Sequence, residues 1–202
     1  MTDSFLQHKS VPYRAAFFRS WLQDPFNVAS VVPSSRWLAR LMATDLAPGA
    51  RVVELGAGTG TLTDAILARG VRPQDLFLVE QCMPFVDILR SRFPLASVLR
   101  ADAAELSDHL PRLVGQVDYV ISGLPILWFS KDKKTRILAE AFSLLRPEGR
   151  FHQFTYLGRA PVGNRLLASL HLKATLIGVS PINLPPAFVY RFERVMAAAA
   201  AA

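Results

Sequence analysis

At 202 residues the chain is long enough for a single buried core, and its one cysteine, Cys82, excludes an intramolecular disulfide framework or a paired-cysteine metal site. Lysine and arginine number 23 against 16 acids, a formal charge of +7 that points to a polyanionic partner, either nucleic acid or an anionic membrane surface. The opening Met-Thr-Asp-Ser has no basic stretch leading into an apolar one, no run of about 18 apolar residues occurs, and the histidines form no ligand pair, so secretion, membrane spanning and metal binding are not expected and a reducing cytosol is.

Between Val11 and Gln23, the apolar residues Tyr13, Phe17, Phe18, Trp21 and Leu22 recur with helical spacing behind Pro12, which predicts an amphipathic helix. Lys9, Arg14 and Arg19 flank it, and its apolar side is aromatic, as in a helix lying in a membrane interface. Packing of the same stripe on a sheet edge is the other reading, and the two are compatible in turn. Asp24-Pro25-Phe26 breaks this helix, and Pro33-Ser34-Ser35 opens a second one to about Thr44, with Trp37, Leu38, Leu41 and Met42 on one side.

After Pro48-Gly49 comes the stretch on which the rest turns, Val52-Val53-Glu54-Leu55-Gly56-Ala57-Gly58-Thr59-Gly60-Thr61. It reads as a buried strand, a tight turn and a helix start, with glycines that let a ligand approach the backbone. Thr61 stands where a dinucleotide-binding G-x-G-x-x-G carries its third glycine, so NAD fits poorly. Glu54 places a carboxylate at the strand end, suited to a ligand that carries an ammonium and unsuited to a pyrophosphate. The stretch resembles motif I of the Rossmann-like methyltransferases, which implies S-adenosylmethionine as cofactor and S-adenosylhomocysteine as product.

A helix through Leu62, Ile66 and Leu67 ends at Arg69-Gly70, and Leu76 to Glu80 is a second strand. Glu80 ends it about twenty residues beyond the glycines, where a carboxylate bonds ribose hydroxyls, unless it is simply a solvated acid. A helix from about Met83 to Phe93, closed by Pro94, leads to a strand at Ala96–Arg100 and then to Ala101-Asp102-Ala103. Asp102 resembles the methyltransferase aspartate that bonds the adenine amino group, with the next backbone N–H, that of Ala103, reaching the ring; its other reading is N-cap of a helix through Leu106 and Leu110.

Val117 to Ser122 is the fourth strand, and the apolar loop Gly123-Leu124-Pro125-Ile126-Leu127-Trp128-Phe129 after it faces the ligand crevice of an open α/β sheet. Lys131, Lys133, Lys134 and Arg136 crowd the first turn of the next helix, where cations oppose the helix dipole, so a functional charge patch is expected. A strand (Arg150–Tyr156), a helix (Val162–Leu172) and two strands (Ala174–Val179 and Ala187–Val195) complete the chain, and the alanines 197–202 are set aside as carrying no function.

Val31-Val32-Pro33-Ser34-Ser35, motif I, Ser122-Gly123-Leu124-Pro125, Gln153-Phe154-Thr155-Tyr156 and Asn183-Leu184-Pro185-Pro186 together resemble the bacterial phospholipid N-methyltransferases. The resemblance implies stepwise methylation of phosphatidylethanolamine, through mono- and dimethyl forms, to phosphatidylcholine. It also implies docking of the N-terminal helix to the inner face of the cytoplasmic membrane as a peripheral cytoplasmic protein. The expected fold is α/β, a Rossmann-like seven-stranded methyltransferase sheet, mostly parallel with one antiparallel strand, in a single domain over residues 1–196, with residues 1–23 as the membrane-binding helix.

On this reading Glu54, Gly56, Gly58, Gly60, Thr61, Glu80, Gln81, Asp102, Ala103 and Ser122, with Ser34 and Ser35, hold the cofactor. Gly123, Leu124, Pro125, Trp128 and Arg159 meet the phospholipid, and Tyr156 orients the amine unless it only packs the sheet edge. Lys131, Lys133, Arg136 and Arg159 are the candidate cations for the lipid phosphate, and the sequence does not choose among them. An rRNA adenine dimethylase is the competing reading. Gly123 stands where its asparagine would accept from the exocyclic amine and Ile126 where an aromatic would stack, which disfavours nucleic acid. A non-catalytic module binding cofactor or lipid is the third.

Overall fold

The computed structural model describes residues 33–183 and 185–195. The helix expected over Val11–Gln23, with Lys9, Arg14, Phe17, Phe18, Arg19 and Trp21, lies outside the described residues, as do Leu184 and the alanine tail. Seven strands form one sheet: β1 (Val52–Leu55), β2 (Leu76–Glu80), β3 (Ser97–Arg100), β4 (Val117–Ser122), β5 (Leu145–Thr155), β6 (Leu172–Ser180) and β7 (Ala187–Arg194). Their order is β3-β2-β1-β4-β5-β7-β6. Pairs from β3 to β5 are parallel, whereas β7 runs antiparallel to both β5 and β6, so one strand is reversed, as expected.

Alternation along the strands sends side chains to two cores. Val53, Leu55 and Val120 face α4 (Leu106–His109), α5 (Lys131–Leu144) and α6 (Asn164–Ser169). Val52, Leu76, Leu78 and Ile121 face α1 (Pro33–Met42), α2 (Thr61–Leu67) and α3 (Met83–Arg92). Helices thus cover both faces of the parallel strands, which is why those strands are apolar on both sides. The chain builds outward from β1 to β3 and then returns to place β4 on the other side of β1. That reversal opens a crevice at the carboxyl ends of β1 and β4, where open α/β sheets bind ligands.

Three elements differ from expectation. The helix expected over Val162–Leu172 is only Asn164–Ser169, because Gly163 is extended (φ −72°, ψ 151°) and His171 turns to φ 54°. The helix through Leu106 and Leu110 is one turn, stopped before Pro111. β5 begins at Leu145 instead of Arg150, because the register jumps from Val117↔Leu145 to Tyr119↔Arg150, and the residues between, with Pro147 and Gly149, bulge out of the ladder.

Candidate active site

The glycine turn is tied into the switch point by backbone bonds. Gly56 N–H donates to Val79 O and Gly123 N–H to Leu55 O, each at 2.8 Å, which brings the β1, β2 and β4 ends together. Gly56 has φ +70°, and a Cβ there would lie 2.7 Å from the Leu124 side chain, so its bareness serves packing. Gly58 (φ +55°) differs: a Cβ there would meet nothing within 4 Å, and the residue opens into a cavity of about 470 Å³.

Gly56, Gly58, Glu80, Gln81, Asp102, Ala103, Gly123, Leu124 and Pro125, all expected site residues, line that cavity. Phe85 and Ile137, which no motif marks, also line it, as does Lys133, which the sequence offers only as a phosphate cation. Phe129 lines it too, and its place in the apolar loop after β4 was the available signal. Glu54, Gly60, Thr61, Ser122, Trp128, Tyr156 and Arg159 stand outside the lining. Ser34 and Ser35 fall in α1.

Glu54 shares the α2 side of β1 with Val52 and is fully buried. Its Oε2 accepts from Thr63 Oγ1 at 2.7 Å, while Oε1 has no protein partner among the described residues. Burial pushes its carboxyl up to about 8, against the Thr63 bond, which pulls it down. Glu80 works differently. Its Oε2 accepts from Gly58 N–H at 3.0 Å and its Oε1 from Gln81 and Cys82 N–H at 2.8 Å each, so the carboxylate braces the turn. A carboxylate has about four lone-pair sites, which leaves room for one hydroxyl donor.

Asp102 is not the N-cap of α4, a place held by Glu105 without a side-chain bond. Its Oδ1 accepts from Ala104 N–H at 3.0 Å, and its Oδ2 from Lys133 Nζ at 3.1 Å and Gln81 Nε2 at 3.4 Å. Burial alone would raise its pKa, but the Ala104 bond and the bond and charge of Lys133 together hold it below the usual carboxylate value. The expected charge patch on α5 is largely spent inside the protein. Lys134 Nζ donates to Leu127 O at 2.9 Å, and Arg136 reaches Ala104 O and Glu105 at 3.3 Å, so of the four only the exposed Lys131 has no such bond among the described residues.

At the ends of β4 and β5 the polar groups are few. Gln153, beside Ser122 in the ladder, donates through Nε2 to Leu124 O and Phe154 O at 2.9 Å each, and its buried Oε1 has no partner among the described residues. Ser122 Oγ accepts from Leu124 N–H at 3.3 Å. Tyr156, just past β5, packs edge-on against Phe154; burial raises its phenol pKa, against the pull of Asn183 in the β6–β7 loop. Trp128 and Arg159 are exposed, and Ile126 is fully buried.

A seven-stranded sheet with β7 reversed, a glycine turn at the switch point and acids ending β2 and following β3 define a class I S-adenosylmethionine-dependent methyltransferase. Residues 52–149 match the methyltransferase-domain family. The chain is 34% identical over 169 residues to the ornithine lipid N-methyltransferase of Singulisphaera acidiphila, across 81% of this chain and 86% of that one. It therefore belongs to the class I S-adenosylmethionine-dependent methyltransferases and is a transferase of methyl groups. It is also 27% identical over 150 residues to a ribosomal RNA small subunit methyltransferase A of Prosthecochloris aestuarii, 71% of this chain but only 52% of that one. Its fold is similar, with a TM-score of 0.67 and 19% identity over 95% of this chain and 93% of the other, to the 1,6-didemethyltoxoflavin-N1-methyltransferase of Burkholderia thailandensis, solved with S-adenosylhomocysteine.

The residues present fit that cofactor: open space over Gly58, a carboxylate at Asp102 and an unpaired buried oxygen on Glu54. Among the described residues no helix is long and apolar enough to cross a membrane, and no cluster of ligating side chains could hold a metal ion.

Proposed function

We propose that the protein N-methylates the amine of a phospholipid headgroup, phosphatidylethanolamine first and its mono- and dimethyl forms after it, at the cytoplasmic membrane surface. The observation that carries this reading is the acceptor edge. Gly123 offers no side-chain amide, Ile126 is buried in the core and unavailable for stacking, and what remains is an apolar wall, with the Gln153 oxygen buried outside the cavity lining and without a partner among the described residues. Such an edge suits a small amine on an apolar molecule better than a flipped base. The similarity to an ornithine lipid N-methyltransferase, which covers more of both chains than that to the rRNA enzyme, supports the same choice.

In this scheme Glu54 is the partner for the cofactor's ammonium, Gly56, Gly58 and Gly60 with Thr61 form the turn over which the cofactor lies, and Glu80 with Gln81 takes the ribose. Asp102 and the Ala103 N–H take the adenine, and Ser122, Ser34 and Ser35 complete the surround. S-adenosylmethionine supplies, when bound, a methyl group on a sulfonium. The protein's share is to present an unprotonated, aligned amine and to keep water out, which is where most of the rate arises in such a displacement. Tyr156, kept neutral by burial, orients the amine through its hydroxyl, and its ring is held edge-on against Phe154. Gln153 Oε1 accepts an amine N–H, while its Nε2 holds the Leu124 carbonyl in place. Trp128 presents an exposed face to the growing quaternary ammonium, and Arg159, exposed and without a bond or ion pair among the described residues, meets the phosphate. The aromatic and basic residues between Lys9 and Trp21 hold the enzyme to anionic lipid.

Purified protein mixed with labelled S-adenosylmethionine and phosphatidylethanolamine liposomes, ornithine lipid liposomes or rRNA tests the reading. Label in the ethanolamine lipid supports it. Label in ornithine lipid alone moves the substrate, label in rRNA alone overturns the lipid reading, and cofactor binding with no transfer to any of the three makes the chain a binding module.

A further inference from the structure

Lys133 sits where helix physics does not want it. It is the third residue of α5, its backbone N–H capped by Ser130 Oγ at 3.2 Å, and a cation in the first turn opposes the helix dipole. Lys134 and Arg136 relieve the same difficulty on carbonyls and Glu105, away from the cavity lining. Lys133 instead reaches the cofactor cavity. Its Nζ bonds Asp102 Oδ2 at 3.1 Å and stands 5.0 Å from the centre of the Phe129 ring, and all three residues line the cavity. Asp102 Oδ1 accepts one bond, from Ala104 N–H, whereas Oδ2 already holds two donors, the Lys133 ammonium and, at 3.4 Å, the Gln81 amide, so a ligand amine that takes Oδ2 must displace one of them.

We propose that Lys133 is a displaceable counter-ion of Asp102, occupying in the cofactor-free protein the bond that the adenine amino group takes on binding. The inference rests on the assignment of Asp102 to adenine made above. Entry of the cofactor exchanges a charged donor for a neutral one at one carboxylate oxygen, so Lys133 lowers cofactor affinity and makes it depend on salt. The pair is partly exposed, with side-chain exposures of 37% and 26%, so the competition is modest and reversible. Phe129 gives the displaced ammonium an aromatic face, which keeps the exchange short in distance.

Titration calorimetry of the full chain with S-adenosylhomocysteine tests this without turnover. Lys133→Gln and Lys133→Met should each bind roughly two- to fivefold more tightly than wild type, the free-energy range of a partly exposed ion pair. Raising salt should tighten the wild type and leave both variants unmoved. Melting curves accompany each variant, and the two different replacements guard against a local packing artefact. Unchanged or weaker binding in both folded variants overturns the counter-ion role. Asp102→Ala separates the two levels: if it binds as wild type, the adenine assignment has failed, whereas if it binds weakly while the Lys133 variants gain nothing, only the counter-ion role has failed.

Discussion

The two ends of the crevice are built on different principles. At the end formed by β1, β2 and β3, the polar groups are carboxylates and each already holds a bond: Glu80 to three backbone N–H groups, Asp102 to Ala104, Gln81 and Lys133, Glu54 to Thr63. At the end formed by β4, β5 and the β6–β7 loop, the polar groups are neutral side chains. Gln153 holds Leu124, Ser180 Oγ donates to Asn183 at 2.6 Å, and Tyr156 packs on Phe154. On the proposed reading the first end takes a molecule shared by a whole enzyme class. On the same reading the second fits one acceptor, and its fit is a matter of packing. Substitutions at the first end should therefore move cofactor binding, and substitutions at the second should move turnover and spare it.

The sharpest way to break that division is Gly58→Val. The space beyond Gly58 is open in the protein, so the side chain enters the ligand's volume, at a backbone strain cost of about 1–2 kcal/mol from its positive φ. Calorimetry should show no measurable S-adenosylhomocysteine binding in a folded variant, and near wild-type affinity would move the cofactor elsewhere.

Glu54 comes next. With its folded carboxyl raised to about 8 from 4.5, the folded state holds a proton that the unfolded chain has released, so stability is highest below the unfolded value and falls as pH rises through 8. The cofactor-free wild type should lose a few kcal/mol over that window, and Glu54→Gln should flatten the profile while losing most cofactor affinity. Melting temperatures between pH 5 and 9 measure this, and a wild-type profile as flat as the variant's removes the buried-acid account.

Asp102→Ala should weaken cofactor binding by about 1.5–3 kcal/mol, one charge-assisted bond, with little change in binding to lipid vesicles. A variant that loses its lipid binding as well would join the two ends that the comparison keeps apart. Smallest is Tyr156→Phe, which keeps the packing on Phe154 and removes the hydroxyl. Turnover on phosphatidylethanolamine liposomes should fall about tenfold, near 1.4 kcal/mol, with cofactor affinity unchanged. Equal losses in binding and turnover would make Tyr156 a packing residue.

How much of this was readable in advance follows the same line. The strand ends, the glycine turn and the acids at Glu80 and Asp102 were visible because each is a local pattern: β-branched runs, glycines at alternate positions, an acid at a fixed remove. What the patterns did not reveal was the state of the side chains. The lysines and arginine of α5 looked like a free patch, yet Asp102, Glu105 and the carbonyls that engage Lys133, Lys134 and Arg136 come partly from the far side of β4 in sequence. Glu54 looked ready to meet an ammonium directly, and its burial against α2 depends on Thr63, which no spacing rule marks.

By itself, then, the sequence determined the strand alternation, the reversed final strand and the chemistry of the glycine turn, since these follow from hydrophobic period and from backbone angles open to few residues. Tertiary structure alone decided which carboxylates are already engaged, that Ile126 belongs to the core, and that Gln153 keeps one buried oxygen without a partner among the described residues. Those properties arise where separate strands and loops converge, and burial and bonding there depend on every neighbour at once and not on residue type.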